Sequence, residues 1–174
     1  MTRNQFTYFT SGICAGWLGL TAIIWSNENV RTIIKEVVCE NSNDPLTFSE
    51  TNLVNKMMKI NLKFPHIALA QSQLETGNYK SKIFKHNNNL FGMKEARVRV
   101  KTAQGTNLNH AYYKTWQESV YDYAFYQCRY LGGVRNEKEY FAALDASYAE
   151  ANYYSGTLKQ IIKKENLKEI FKSK

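Results

Sequence analysis

The chain has 174 residues, 44% of them hydrophobic, with 12 tyrosines, 9 phenylalanines and a formal net charge of +8. That length supports one compact core plus extensions, and the charge favours anionic partners such as nucleic acid, phospholipid headgroups or acidic wall polymers. The three cysteines, Cys14, Cys39 and Cys128, are too scattered for a disulfide framework or a zinc site, and no cofactor or metal is expected.

From Phe6 to Trp25 no charged residue occurs. About 20 such residues span a bilayer core as a helix. Arg3 precedes the run, while Arg31 and Lys35 follow it, so the charge bias across it is weak. No small-residue cleavage site appears around Ile24-Trp-Ser-Asn-Glu28. Residues 1–27 therefore read as an uncleaved signal anchor, a transmembrane helix, with a buried soluble helix as the alternative. An anchor would leave the remainder extracytoplasmic, facing the periplasm or the cell wall. Residues 28–46 read as a stalk and linker, with Glu40-Asn-Ser-Asn-Asp-Pro45 breaking any helix there. The globular domain is expected over residues 47–174.

That domain reads as mainly α with a small β-hairpin lobe. Thr47 or Ser49 caps a helix through Ile60, with Leu53, Val54, Met57 and Met58 on one face. Pro65 starts a second helix, His66 to Glu75, and Gly77 caps its end. Val98 to Thr102 and His110 to Lys114 alternate as short strands, with Gln104 to Asn107 as the turn. Further helices are expected over Gln117–Leu131, Glu137–Leu144 and Tyr153–Lys164.

Glu75 ends an otherwise uncharged helical run through Ile67, Ala68, Ala70, Gln71 and Leu74. Desolvation disfavours a charged carboxylate, and the C-terminal end of a helix does the same. Both effects favour a protonated Glu75 at neutral pH, the state that protonating a glycosidic oxygen requires. A pairing with Lys80 or Lys82 is the more ordinary fate of such a residue, and Glu75 alone does not decide between them.

The surrounding residues do more. Ala70-Gln-x-x-Leu-Glu-Thr-Gly77, followed by Asn89-Leu-Phe-Gly-Met-Lys94, resembles the glucosaminidase family of peptidoglycan hydrolases (glycoside hydrolase family 73). Tyr112-Tyr-Lys-Thr-Trp-Gln-Glu-Ser-Val120 and Ser147-Tyr-Ala-Glu-Ala-Asn-Tyr-Tyr154 continue the likeness in the same order, over roughly Leu53 to Ile162. The resemblance implies a lysozyme-like fold and an endo-β-N-acetylglucosaminidase that cuts β-1,4 bonds in peptidoglycan glycan strands. It implies Glu75 as general acid and Tyr148 as the tyrosine close to it, able to orient the substrate acetamido group or a water. Asn89 to Gly92 would line the cleft, with Phe91 either a sugar platform or a core anchor. Gln71, Tyr113, Trp116 and Tyr154 complete the candidate substrate-binding set, with core packing the ordinary alternative for the aromatics.

The family often carries a second acid on the hairpin, and glycosidases generally use two carboxylates. Between Glu75 and Gln117 the only acid is Glu95, set earlier than a hairpin tip. Either Glu95 serves as base, or the substrate's 2-acetamido oxygen acts as nucleophile, or the second acid is dispensable; substrate assistance is the favoured expectation. N-acetylmuramidase or lytic transglycosylase activity is the alternative within the same chemistry. A catalytically inactive wall-binding domain is the alternative outside it, drawing on the six lysines between Lys159 and Lys174. No nucleic-acid-binding motif accompanies those lysines.

Overall fold

The computed structural model describes residues 47–147 and 153–172. The expected anchor over 1–27, the stalk over 28–46 and Tyr148 lie outside those residues. Among the described residues no helix is long and apolar enough to cross a membrane.

The described chain is mainly helical, with one small antiparallel sheet. Helix α1 (Glu50–Lys59) starts at Ser49, whose side chain accepts the Asn52 N–H at 3.1 Å, and buries Leu53, Val54 and Met57. Helix α2 (Pro65–Thr76) is the centre of the domain. It buries residues on every side, Ile67, Leu69 and Ala70 as well as Gln71, Ser72 and Gln73. Such a helix must be surrounded, and α2 packs against α1, α6 (Tyr154–Lys164) and α7 (Leu167–Ile170). Pro65 occupies its first turn, and Gly77 closes it in the left-handed region at φ 54°.

Beyond α2 the chain turns sharply, with Asn78 and Tyr79 also at positive φ. A short helix α3 (Lys82–Asn87) follows, capped by Ser81 on the Phe84 N–H; six residues are too few for a periodic signal, and it was not expected. Strands β1 (Gly105–Asn107) and β2 (His110–Tyr112) pair antiparallel, Thr106 opposite Ala111. Leu108 and Asn109 form the connection, both with positive φ as a type I′ turn requires. The expected first strand, Val98 to Thr102, does not form. Its alternation is used differently: Arg99 turns inward to a buried carboxylate, while Val98 and Val100 stay exposed. Residues 104–107, expected as the turn, supply β1 instead.

Helix α4 (Trp116–Tyr130) is capped by Thr115, with Glu118 reaching back to the Lys114 N–H. Its Val120, Tyr123 and Ala124 are buried in the same core as Leu53, Met57, Leu69 and Phe91. Helices α5 (Glu137–Ser147) and α6 run on from it, close to the expected ranges, and α7 ends the described chain.

Candidate active site

Glu75 sits in the last turn of α2, half-buried. Its carboxyl group is held between two segments remote in sequence. On one side, Oε1 accepts a hydrogen bond from the Tyr154 hydroxyl at 2.7 Å, at the start of α6. On the other lies Gly92, at φ 62°; a Cβ there would stand 2.7 Å from Oε2. Only a residue without a side chain lets the loop approach so closely.

The Asn89-Leu-Phe-Gly92 loop is built to make that approach. Asn89 is buried, and its Oδ1 accepts the backbone N–H groups of Phe91 at 3.2 Å and Met93 at 3.1 Å. Its Nδ2 donates to the carbonyls of Met93 and Ala111, both at 2.9 Å. The Leu90 N–H is bound by the Ser119 hydroxyl of α4 at 3.0 Å. Phe91 is fully buried and stacks on Tyr123, with ring centroids 4.1 Å apart. Of the two roles open to Phe91, the geometry fits the core anchor, because a ring with no exposed face cannot meet a sugar. Asn89 organises the loop from within and does not line a cleft with its own polar atoms.

Tyr113 and Trp116 are placed likewise. Tyr113 is buried and donates to Asp122 Oδ2 at 2.9 Å; burial, then the Asp122 charge, push its hydroxyl far above its ordinary value. Trp116 is buried edge-on against Phe48 at 5.7 Å. Both rings pack in the interior, away from any glycan. Gln71 is buried too, one turn back from Glu75, and donates to the Tyr154 hydroxyl at 3.2 Å. Burial, then the Glu75 charge, push the Tyr154 hydroxyl far up, so it stays a donor at any physiological pH.

Glu95 lies on the hairpin lobe, partly exposed. Lys101 pairs with its Oε1, and the Thr106 hydroxyl of β1 donates to Oε2 at 2.8 Å. The Lys101 contact, then Thr106, hold its carboxyl below the usual range, so it stays ionised. Two residues, Met93 and Lys94, lie between it and Gly92, a reach of at most about 11 Å between α-carbons. Its segment is clamped behind by Arg99, which forks onto Asp122 at 2.7 and 3.0 Å. Asp122 also accepts the Thr102 N–H at 3.2 Å. Among the described residues no group of His, Cys, Asp and Glu is arranged to hold a metal ion.

Residues 51–167 match the glucosaminidase family, described as mannosyl-glycoprotein endo-beta-N-acetylglucosaminidase. The chain belongs to the glucosaminidase family. It is a glycoside hydrolase of the endo-β-N-acetylglucosaminidase type. No curated protein matches it. Among solved structures it is similar to the catalytic domain of the autolysin Auto from Listeria monocytogenes. That likeness has 21% identity and a TM-score of 0.49, over 91% of this chain and 99% of that one.

In this glucosaminidase, among the described residues, the tyrosine bonded to the candidate acid is Tyr154. Sequence reasoning gave that place to Tyr148, which lies outside the described residues, and gave Tyr154 a binding or structural part. The signal was present: Tyr154 starts a helix, and a helix start packed against the end of α2 brings a side chain to Glu75. Gly92 was named only as part of its motif; its positive φ and its contact with the carboxyl group give it a role of its own.

Proposed function

We propose that this glycoside hydrolase acts on peptidoglycan, that Glu75 is its general acid, and that the bond it cuts is the one on the reducing side of N-acetylglucosamine. The observation that carries the reading is the held carboxyl group of Glu75, with Oε1 on Tyr154 and Oε2 against Gly92. With Oε1 accepting a hydrogen bond from Tyr154, the acidic hydrogen belongs on Oε2. From there it passes to the glycosidic oxygen as the C–O bond breaks.

The anomeric carbon then needs a nucleophile. We favour the substrate's own 2-acetamido oxygen, which closes onto that carbon to form an oxazolinium ion. Water opens the ring, and the Glu75 carboxylate takes the proton that water releases. Glu95 is the competing candidate, as a base for direct attack by water. Its pairing with Lys101 and Thr106 on the lobe supports a part in shaping that lobe instead.

The lysozyme-like domain would work from the membrane. The uncharged run Phe6 to Trp25 supports an N-terminal anchor, with the enzyme facing the wall outside the cytoplasm.

Digestion of purified peptidoglycan, borohydride reduction and mass spectrometry test the bond. Reduced glucosamine ends are expected; reduced muramic or anhydro ends would assign the enzyme to the muramidases or lytic transglycosylases. Glu95→Gln is the companion variant, expected to keep turnover within about tenfold. A fully inactive but folded Glu95→Gln protein would replace substrate assistance with a two-carboxylate mechanism.

A further inference from the structure

Behind Tyr154 runs a buried line of polar side chains. Gln71 Nε2 donates to the Tyr154 hydroxyl at 3.2 Å. The Tyr123 hydroxyl donates to Gln71 Oε1. Tyr123 and Tyr140 share a hydrogen bond of 2.8 Å, and Gln127 Nε2 donates to Tyr140 at 2.6 Å. Gln71, Tyr123 and Tyr140 have essentially no solvent exposure, and Gln127 has little.

The proton count gives this line a direction. An amide oxygen can only accept, so the single Tyr123 proton goes to Gln71. Tyr140 must therefore donate to Tyr123. The amide nitrogen can only donate, so Tyr154 accepts from Gln71 and gives its own proton to Glu75. Every hydrogen bond from Gln127 to Glu75 thus points the same way.

Reversal would need the Glu75 proton on Oε1, donated to Tyr154, with Tyr154 in turn donating to Gln71. That requires the Gln71 amide to turn over inside a closed core. Turned over, the amide would donate to Tyr123, whose own hydrogen would go to Tyr140; Tyr140 also accepts from Gln127 Nε2, so its hydrogen would find an acceptor in neither neighbour. We infer that Gln71 and Tyr123 are positioning residues which, through Tyr154, keep the acidic proton of Glu75 on Oε2 and so direct it toward the glycosidic oxygen. Neither residue touches substrate. Gln71 belongs in this role and not in the substrate-binding set where its place in the sequence first put it.

This inference rests on Glu75 being the acid, so Glu75→Gln is measured alongside. A Glu75→Gln enzyme with near-normal turnover would remove the acid assignment itself. With that assignment standing, the test is a double-mutant cycle on kcat and KM between Tyr123→Phe and Tyr154→Phe. Tyr123→Phe keeps the ring and its stack on Phe91. It is expected to lower kcat about tenfold and leave KM within about twofold, as a misdirected proton would. In the Tyr154→Phe background the same change is expected to have no further effect on kcat, because Tyr123 acts only through Tyr154. A kcat for Tyr123→Phe within twofold of wild type overturns the inference. So does a loss that multiplies with that of Tyr154→Phe, the mark of general loosening. Should Tyr123→Phe yield too little folded protein, Gln71→Met removes both polar ends of the amide at similar volume, and the same two outcomes are read from it.

Discussion

The Tyr154 hydroxyl and the Glu75 carboxyl group, 79 positions apart in the chain, are joined by a 2.7 Å hydrogen bond. The bond ties the first turn of α6 to the last turn of α2 and fixes one carboxyl oxygen. Tyr154→Phe keeps the buried ring and deletes only this donor. It is expected to lower kcat by about tenfold to a hundredfold with KM little changed. Steady-state kinetics on solubilised glycan, with circular dichroism to verify folding, check this.

Gly92→Ala is expected to be more severe for activity than for stability. The new methyl group would meet Oε2 of Glu75 at 2.7 Å, and the backbone sits at φ 62°. The strain should reduce stability by about 1–2 kcal/mol. Displacing the carboxyl group should lower kcat/KM by about a hundredfold. Urea melts and kinetics on the same preparation separate the two effects.

The parts legible in the sequence were those with local causes. Pro65 and Gly77 bracket α2, its uncharged run announces burial, and Glu75 stands out as the lone acid at its end. The Asn89-Leu-Phe-Gly92 motif fell beside it. What was not legible depends on contacts made at long range. Val98 to Thr102 has strand alternation, yet Asp122, 23 residues beyond Arg99, takes the guanidinium and leaves the valines outside. Tyr113, Trp116 and Phe91 look like sugar platforms by residue type, and only packing shows their faces to be covered. The contact of Tyr154 with Glu75 was not legible for the same reason, since its partner lies 79 residues earlier.

Arg99 and Asp122 form an ion pair with side-chain exposures of 5% and 0%. Deleting one partner of such a pair leaves the other charge buried. Arg99→Met is expected to destabilise the protein by about 3 kcal/mol. Part of the loss is blunted because Asp122 keeps the Thr102 N–H and the Tyr113 hydroxyl. Urea unfolding measures the total. Hydrogen exchange should show protection lost first around Thr102 and Met93, the ends of the segment that carries Glu95.

Mild acid should weaken the fold through His66. Burial holds this imidazole below its ordinary 6.5, outweighing the attraction of Glu137. Its Nε2 lies 3.1 Å from Glu137 Oε1 but lacks hydrogen-bond alignment. Above pH 6.5 the folded and unfolded chains both carry a neutral ring. As the pH falls below that value the unfolded chain takes up the proton first, so stability falls. Lys168, first among several causes, holds Glu137 below its ordinary 4.5, so its own acid loss comes at lower pH. Melting curves between pH 7.5 and about 5 should therefore slope downward for the wild type, and His66→Gln should flatten that slope.

The most direct measurement is the turnover of purified peptidoglycan by Glu75→Gln against wild type, with both proteins shown to be folded. The glutamine preserves shape and the Tyr154 contact but has no acidic proton to give. A fall in kcat of at least about a hundredfold is expected, the scale of a lost general acid. A Glu75→Gln enzyme that clears peptidoglycan at a rate within tenfold of the wild type would contradict the assignment of Glu75.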